Sequence, residues 1–187
     1  MPVPPPAEPA PQRRVGFAPV VDAHTRLLIL GSLPGDASLA ADQYYAHPRN
    51  GFWRLTGGVI GRDLVDLAYR QRLEALKAAG IGLWDVITTA HRTGSLDAAI
   101  RDPEFADLPG LVATLPKLRA VAFNGATAAR TGRRTLTGAT DTLTLIDLPS
   151  SSPAHARPLA EKAQGWAVLG DFVDGLTEGA PGCRAFL

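Results

Sequence analysis

Four short apolar runs limit the fold of this sequence more than any other feature. They are rich in Leu, Ile and Val, lack a clean alternation of polar and apolar residues, and are separated by segments with helical periodicity. Such runs are typical of strands buried on both faces of a largely parallel sheet. The sequence therefore predicts an α/β fold, a three-layer α/β/α sandwich. The predicted strands are 26–30, 81–87, 119–123 and 142–148, with the sequences RLLIL, IGLWDVI, RAVAF and TLTLIDL.

Helical patterns fill the intervals between these runs. Segment 65–80 places Leu67, Leu73 and Leu76 near one face and ends at Gly80, a residue type that commonly follows a helix. Two further helices are predicted in 125–130 and 157–176. Trp166, on the last of them, is expected in the core, because a large aromatic side chain buries much apolar surface there.

Composition indicates one domain. Hydrophobic residues make up 45% of the 187 residues and the mean hydropathy is +0.03, which fits a single soluble domain with a sizeable core. The opening stretch MPVPPPAEPAPQRR is rich in Pro and Ala and has few groups to pack, so residues 1–16 are predicted to form a disordered or extended tail. The domain is predicted over 17–178, followed by a loose C-terminal tail over 179–187.

Charge and cysteine content exclude several kinds of site. The net charge is +1, so bulk electrostatics neither requires nor excludes a polyanionic partner. The lone cysteine, Cys183, leaves no disulfide framework and no cysteine-rich metal or iron–sulfur site. With no apolar run of the length that a signal peptide or a membrane span needs, we expect a cytoplasmic protein without membrane association.

Small or hydrogen-bonding residues follow every predicted strand. The four post-strand segments are GSLPGDASL, ITTAHRTGS, NGATAA and PSSSPAHA. In open parallel sheets, ligands bind at the carboxyl ends of the strands. The sequence therefore predicts a polar site at this edge of the sheet.

The segment GSLPG offers backbone groups more than side chains. Alone it is an ordinary turn signal, and it is neither a Walker loop nor a dinucleotide fingerprint. Its two glycines, Gly31 and Gly35, let main-chain N–H groups come close to a ligand.

The stretch YYAHPRNGFW combines aromatic and polar residues. Phe52 and Trp53 are expected in the core, whereas Tyr45 lies beside proline and charged residues, where its ring can stack on a base. Asn50 precedes a predicted helix, and the sequence leaves open whether it is a helix N-cap or a site residue.

The segment PSSSPAHA, residues 149–156, forms a serine-rich loop between a predicted strand and a predicted helix. Three hydroxyl groups and free backbone N–H groups at a helix N-terminus suit a phosphate. The role of His155 stays open between a base, a phosphate donor and a solvated loop residue.

Taken together, these segments resemble the uracil-DNA glycosylase superfamily, most closely its branch of hypoxanthine (deoxyinosine) DNA glycosylases. The matching pieces are LILGSLPGDASL, QYYAHPRNGFW, IGLWDVI with R-x-GSLDAAI, VAFNGATAA, and LPSSSPAHA with the downstream Lys162 and Trp166. In order, they cover about residues 27–166. The resemblance implies a four-stranded, mostly parallel sheet and an enzyme that extrudes a damaged base from DNA and hydrolyses its N-glycosidic bond.

The resemblance also implies roles for individual residues. Asn50 is the implied catalytic residue, which positions the attacking water. The implied base-binding residues are Gly31, Ser32, Leu33, Pro34, Gly35, Tyr45, Asp85 and Asn124. The implied DNA-binding residues are Arg49, Arg92, Ser150, Ser151, Ser152, Pro153, Ala154 and His155, the last three pressed into the helix where the base left. No metal or cofactor is expected, and hydrolysis without a lysine Schiff base is expected, since the matched loops hold no lysine.

Two positions depart from the superfamily pattern. Most members carry Asp or Asn where this chain has Leu33, and an aliphatic side chain cannot hold a water; the hypoxanthine branch shares this lack. Many members use an asparagine to recognise uracil where this chain has Asp85. An ionised carboxylate repels an acceptor edge, so Asp85 argues against a uracil-type site and suits the loop backbone or the N1–H of hypoxanthine.

Several alternatives remain at this point. The same enzyme class on another lesion, uracil or a mismatched base, is the nearest. A catalytically inactive DNA-binding module is suggested by Leu33, and a nucleoside hydrolase acting on free inosine is disfavoured by the serine-rich loop. A monomer is expected, because an open face must admit a duplex.

Overall fold

In the computed structural model, which describes residues 11–138 and 142–173, the chain forms two sheets flanked by helices. The strands are β1 (Gln12–Val15), β2 (Leu27–Gly31), β3 (Ile81–Asp85), β4 (Ile87–Arg92), β5 (Arg101–Phe105), β6 (Ala120–Asn124) and β7 (Thr144–Leu148). The α-helices are α1 (Asp36–Ala41), α2 (Phe52–Ile60), α3 (Tyr69–Ala78), α4 (Leu108–Ala113), α5 (Ala126–Thr135) and α6 (Leu159–Trp166). Two 3-10 helices span Asp97–Ala99 and Ala167–Phe172.

The central sheet contains the four strands that the sequence predicts. Its order is β3-β2-β6-β7, and every pair is parallel. The bounds of the predicted strands differ from the observed ones by one or two residues. The α/β class and the four-stranded sheet are therefore confirmed, and all four carboxyl ends lie at one edge.

Alternate residues of β2 fill two different cores. Leu27 and Ile29 face a core that α2, α3 and α6 close, whereas Leu28 and Leu30 face a core that includes residues of α4 and α5. Because successive residues are buried on opposite faces, the strand shows no polar alternation, as expected for a sheet covered on both sides. The three-layer arrangement is confirmed.

A second sheet was missed by the sequence analysis. It is antiparallel, with the order β1-β4-β5. The predicted strand 81–87 ends at Asp85, and the chain then enters β4 from Ile87. Every residue of β5 is exposed, so the strand lacks the apolar run that identifies a buried one.

The predicted ends of the domain are only partly described. Strand β1 lies inside the predicted tail 1–16, so the ordered sheet begins before Phe17, because residues 12–15 pair with β4. Residues 1–10 lie outside the described ranges. The predicted domain end at 178, the predicted tail 179–187 and Cys183 also lie outside them.

The helix predictions are largely confirmed. Helix α3 occupies most of 65–80, and Gly80 follows it with a φ of 75°, the left-handed conformation that glycine favours. Trp166 is fully buried, and its Nε1 donates a hydrogen bond to the Pro149 carbonyl oxygen at 2.9 Å. No helix within the described residues is both long and apolar enough to cross a membrane.

The burial of Trp166 gives a test of the fold. Replacing Trp166 with Phe keeps an aromatic ring but leaves the Pro149 carbonyl without its donor, so we expect the free energy of unfolding to fall by about 1–3 kcal/mol. Urea denaturation measures this loss. Val168→Ala, at a position that is 44% exposed, is the control and should stay within about 0.5 kcal/mol of the wild type.

Candidate active site

A cavity of about 480 Å³ opens at the carboxyl edge of the central sheet. Four parts of the chain contribute walls. They are the loop after β2 (residues 31–35, here called the first loop), the segment before α2, the end of β3, and the loop after β7 (residues 149–156, the serine-rich loop). The predicted site residues that line it are Gly31, Ser32, Leu33, Pro34, Gly35, Tyr45, Asn50, Asp85, Asn124, Ser150, Ser151, Ser152, Pro153, Ala154 and His155. Of the predicted set, Arg49 and Arg92 do not line it; Arg49 is exposed outside it.

The first loop is held along its carbonyl groups. Val86 N–H donates to the Gly31 carbonyl oxygen at 2.9 Å, and Ile87 N–H donates to the Ser32 carbonyl oxygen at 3.1 Å. The Leu33 side chain packs in the core and is 6% exposed, so this residue meets the cavity mainly through its backbone.

The structure corrects the prediction that Arg92 contacts a DNA phosphate. Its side chain is fully buried, and its two terminal nitrogens donate to the carbonyl oxygens of Leu33 and Pro34. A phosphate has no access to this guanidinium group. Arg49 remains available for such a contact.

Asp85 places a carboxyl group in the cavity without a protein partner. The residue is 4% exposed, and its Oδ2 is buried and accepts no hydrogen bond from the described part of the chain. Burial, reinforced by the negative charge of Asp97 and partly offset by Arg92, raises the pKa of Asp85 to about 7. A buried carboxyl that no protein donor satisfies is costly to folding and is typical of a functional site.

Tyr45 lies beside this carboxyl group. Its ring stacks on Phe52 with the centroids 3.7 Å apart and the planes within 8°, and its backbone has a φ of 54°. Its hydroxyl is buried, and no hydrogen bond of normal geometry joins it to a described residue. Burial and the charge of Asp85 raise the pKa of Tyr45, while the nearby Asn124 amide lowers it.

Gly31 permits this crowding. A Cβ atom at this position would collide with the Asp85 carboxyl group and lie 3.0 Å from the Tyr45 hydroxyl. Only a residue without a side chain lets the strand end pass so close to both groups.

Asn50 stabilises the turn into α2 and lines the cavity, but it is not the N-cap residue of that helix. Its Oδ1 accepts a hydrogen bond from Phe52 N–H at 3.0 Å, although the N-cap residue of α2 is Gly51. The side chain thus stabilises the turn into α2 while it lines the cavity. This bond uses one lone pair of the amide oxygen. Asn50 therefore still offers its NH2 group and the second oxygen lone pair to a ligand.

The serine-rich loop is anchored by Asn124. The Asn124 amide donates to Ser151 Oγ at 2.8 Å and accepts from Ser151 N–H at 2.8 Å. Ser151 is 1% exposed, so the structure corrects its predicted phosphate contact to an anchoring role. Gly125 packs against this loop. Its φ is 101°, and a Cβ atom on it would lie only 3.0 Å from the Ser150 side chain, so the position requires glycine. Asn124 retains one N–H and one lone pair for a base.

The outer serines present hydroxyl protons rather than backbone N–H groups. Ser150 Oγ accepts from Ser152 N–H, and Ser152 Oγ accepts from Ala154 N–H, each at 3.2 Å. Helix α6 begins only at Leu159, so the expected free N–H groups at a helix N-terminus are absent from this loop. Each hydroxyl keeps one O–H to donate to a phosphate.

Two further residues hold or enclose this loop. Lys162 is 4% exposed, and its Nζ donates to the Ser152 carbonyl oxygen at 3.0 Å. His155 is half-buried, and its Nε2 is enclosed with no partner among the described residues. A purely solvated role for His155 is therefore wrong.

Sequence reasoning did not assign the segment Ser95–Asp97 to the site. Ser32 Oγ donates to Asp97 Oδ1 at 2.7 Å, and Asp36 N–H donates to Ser95 Oγ at 2.9 Å, so this segment closes over the first loop. Leu96 is 61% exposed at the cavity rim. The signal was present in the matched piece R-x-GSLDAAI, whose polar residues follow the end of β4.

Comparison with known proteins identifies the family. The model of the uracil DNA glycosylase superfamily matches residues 18–170, most of the chain. The chain belongs to this superfamily. A Methanosarcina barkeri protein named hypoxanthine DNA glycosylase is 44% identical over 155 residues, which cover 83% of this chain and 96% of the relative. A Methanosarcina acetivorans protein of the same name is 51% identical over 110 residues, covering 59% and 70%.

A solved structure has the same superfamily fold. It is the solution NMR structure of a Methanosarcina acetivorans protein described as a candidate uracil DNA glycosylase, with a TM-score of 0.76 and 42% sequence identity. The match covers 85% of this chain and 97% of that protein. The resemblance seen in the sequence is therefore confirmed. Among the described residues, no group of three or more His, Cys, Asp or Glu is placed to hold a metal ion.

The raised pKa of Asp85 predicts how the stability of this superfamily member depends on pH. Between the ordinary value of 3.8 and about 7, the folded protein binds a proton that the unfolded chain has released, so the free energy of unfolding falls as pH rises through this window. Asp85→Asn removes the titrating group. The stability of this variant relative to wild type should rise from about pH 4 to pH 7 and then level off.

Urea denaturation at a series of pH values measures this difference. Asp66→Asn, which removes an exposed carboxyl group, is the control for the loss of one negative charge. A difference between Asp85→Asn and wild type that stays constant across the window contradicts the prediction.

Proposed function

We propose that this protein is a monofunctional DNA glycosylase that flips a deaminated base, hypoxanthine in the first place, out of DNA and hydrolyses its N-glycosidic bond. The observation that carries the proposal is the meeting of three groups in one cavity: the first loop, the unpaired Asp85 carboxyl and Asn50. The cavity volume of about 480 Å³ is in the usual range for small-molecule sites, so a base and its sugar fit. The names of the two Methanosarcina relatives support the choice of hypoxanthine.

Donors on the first loop suit a departing base. Cleavage develops positive charge on the sugar and negative charge on the base, so preorganised donors at the base lower the barrier. The N–H groups of Ser32, Leu33 and Gly35 make no hydrogen bond within the described chain, and these residues line the cavity. They are the groups we assign to O6 or N3 of hypoxanthine.

Asp85 gives the site its preference for a deaminated base. Hypoxanthine carries a hydrogen on N1 that adenine lacks, and a carboxylate oxygen accepts from it. Adenine turns the N1 lone pair toward the same oxygen, which is repulsive when Asp85 is ionised. The unpaired Asp85 oxygen inside the cavity supports this assignment.

Asn50 is the residue we assign to the attacking water. Its free lone pair and NH2 group can hold a water molecule, but an amide is too weak a base to deprotonate it. The bond between C1′ and N9 must therefore break ahead of attack, and water then bonds to C1′ of a sugar that is nearly a cation. The proton that this water loses goes to solvent, and the departed base anion takes up a proton from solvent. This mechanism does not require a polar side chain at Leu33.

DNA is held by neutral donors and an exposed cation in this proposal. The hydroxyls of Ser150 and Ser152 donate to phosphates, and Arg49 contacts the backbone outside the cavity. Pro153 and Ala154 are exposed at the tip of the serine-rich loop and enter the space that the base leaves. We assign His155, with its enclosed Nε2, to the inner side of that tip.

A monomer in the cytoplasm is the proposed working form. A duplex needs free access to the open edge of the sheet, and the lone cysteine fits a reducing compartment. Sedimentation of the free and DNA-bound protein measures the oligomeric state.

The first experiment compares lesions. Excess protein is incubated with duplexes that carry one hypoxanthine, uracil or xanthine opposite each normal base, with a chelator present, and abasic sites are read after alkali. We expect excision of hypoxanthine and little excision of uracil, because uracil N3–H is flanked by two carbonyl oxygens that Asp85 repels, whereas hypoxanthine N1–H is flanked by only one. Preferred excision of uracil would contradict the role of Asp85. Binding without any abasic product would favour an inactive DNA-binding module, which Leu33 suggests.

Asn50 is tested by single-turnover rates. We expect Asn50→Ala to lower the excision rate by about 100-fold or more and to leave DNA binding within a few fold, because positioning of water contributes only to the chemical step. Asn50→Asp retains the acceptor for Phe52 N–H and is the control for the turn into α2. If Asn50→Ala excises as fast as wild type, the water is positioned by another group.

A further inference from the structure

Arg92 completes a row of bonded carbonyl groups behind the first loop. The carbonyls of Gly31 and Ser32 accept from backbone N–H groups at the junction of β3 and β4. Those of Leu33 and Pro34 accept from Arg92. Four successive carbonyl groups are thus engaged away from any ligand. Arg92 is the one side chain in this row.

The trans geometry of a peptide unit determines where its N–H points once its carbonyl group is held. In a trans peptide unit the carbonyl group and the following N–H point in opposite directions, and no cis bond occurs in the described chain. Because the Pro34 carbonyl is turned toward Arg92, the Gly35 N–H points away from it. Gly35 lines the cavity, and its N–H donates to no described residue.

Arginine suits this position better than any other residue type. Its planar fork reaches two adjacent carbonyl oxygens at once, whereas a lysine presents a single point charge. Its positive charge also polarises the Pro34–Gly35 peptide group that it binds, which strengthens the Gly35 N–H as a donor. Burial lowers the pKa of Arg92, and the cost of burying its charge is partly offset by three nearby carboxyl groups, those of Asp97, Asp36 and Asp85.

We propose that Arg92 is a positioning residue for base departure: it holds the Leu33 and Pro34 carbonyl oxygens away from the leaving base and thereby turns the Gly35 N–H, the one N–H of the two peptide units that it binds, toward that base. The inference rests on the proposed function. Without Arg92, the two carbonyls are free to turn toward the cavity, where an oxygen would repel the negative charge that develops on the base.

Single-turnover excision of hypoxanthine from duplex DNA tests the inference. The maximal rate and the protein concentration at half-maximal rate are measured for wild type, Arg92→Lys and Arg92→Ala. We expect the maximal rate to fall about 10–100-fold in Arg92→Lys and more in Arg92→Ala, with half-saturation unchanged within a few fold, since a misplaced donor affects the transition state. Arg70→Ala removes an exposed arginine on α3 and is the control for lost positive charge.

Chemical rescue separates positioning from simple packing. Guanidinium at low millimolar concentration can enter the space left in Arg92→Ala and should restore a measurable part of the maximal rate, without raising the unfolding temperature. Rescue with unchanged half-saturation supports the inference. A normal rate in Arg92→Lys, or equal losses in rate and half-saturation without rescue, overturns it. If wild type itself fails to excise hypoxanthine, the proposed function fails instead.

Discussion

Burial of β2 on both faces and both edges is the constraint on which the rest of the structure depends. Leu27–Leu30 are fully buried, and the strand is paired with β3 on one side and β6 on the other. A strand held in this way cannot shift its register without moving two cores. The position of Gly31, and with it the start of the first loop, is therefore fixed by apolar packing rather than by contacts within the site.

Three of the polar atoms that the fold leaves unsatisfied belong to residues of the site. Asp85 Oδ2, the Tyr45 hydroxyl and His155 Nε2 are buried without partners in the described chain, whereas most buried polar groups in proteins are paired. Each such group costs free energy, which the apolar cores must offset. Such a cost is tolerated where a ligand supplies the missing partner, and these three residues line one cavity.

The sequence predicts the central sheet well because apolar burial has a local signature. It does not predict the second sheet, since the exposed residues of β5 carry no pattern that distinguishes them from a loop. Most of the cavity-lining residues could be predicted from the sequence, because they follow the carboxyl ends of parallel strands. The partners of individual side chains could not: Asn124 binds Ser151, and Arg92 binds loop carbonyls, over separations of 27 and more than 50 residues. Such contacts depend on tertiary packing, so neither residue type nor the family resemblance revealed that Arg92 binds loop carbonyls.

The serine-rich loop has a further physical consequence through counterion release. Its outward donors are neutral hydroxyls, and the net charge of the chain is only +1. Proteins that grip DNA with many lysines and arginines displace condensed cations and lose affinity steeply as salt rises. Binding through neutral donors displaces few condensed cations, so the strength of these contacts varies little with ionic strength. In the proposed function, the salt-dependent part of DNA binding therefore falls to cations outside this loop, Arg49 among them.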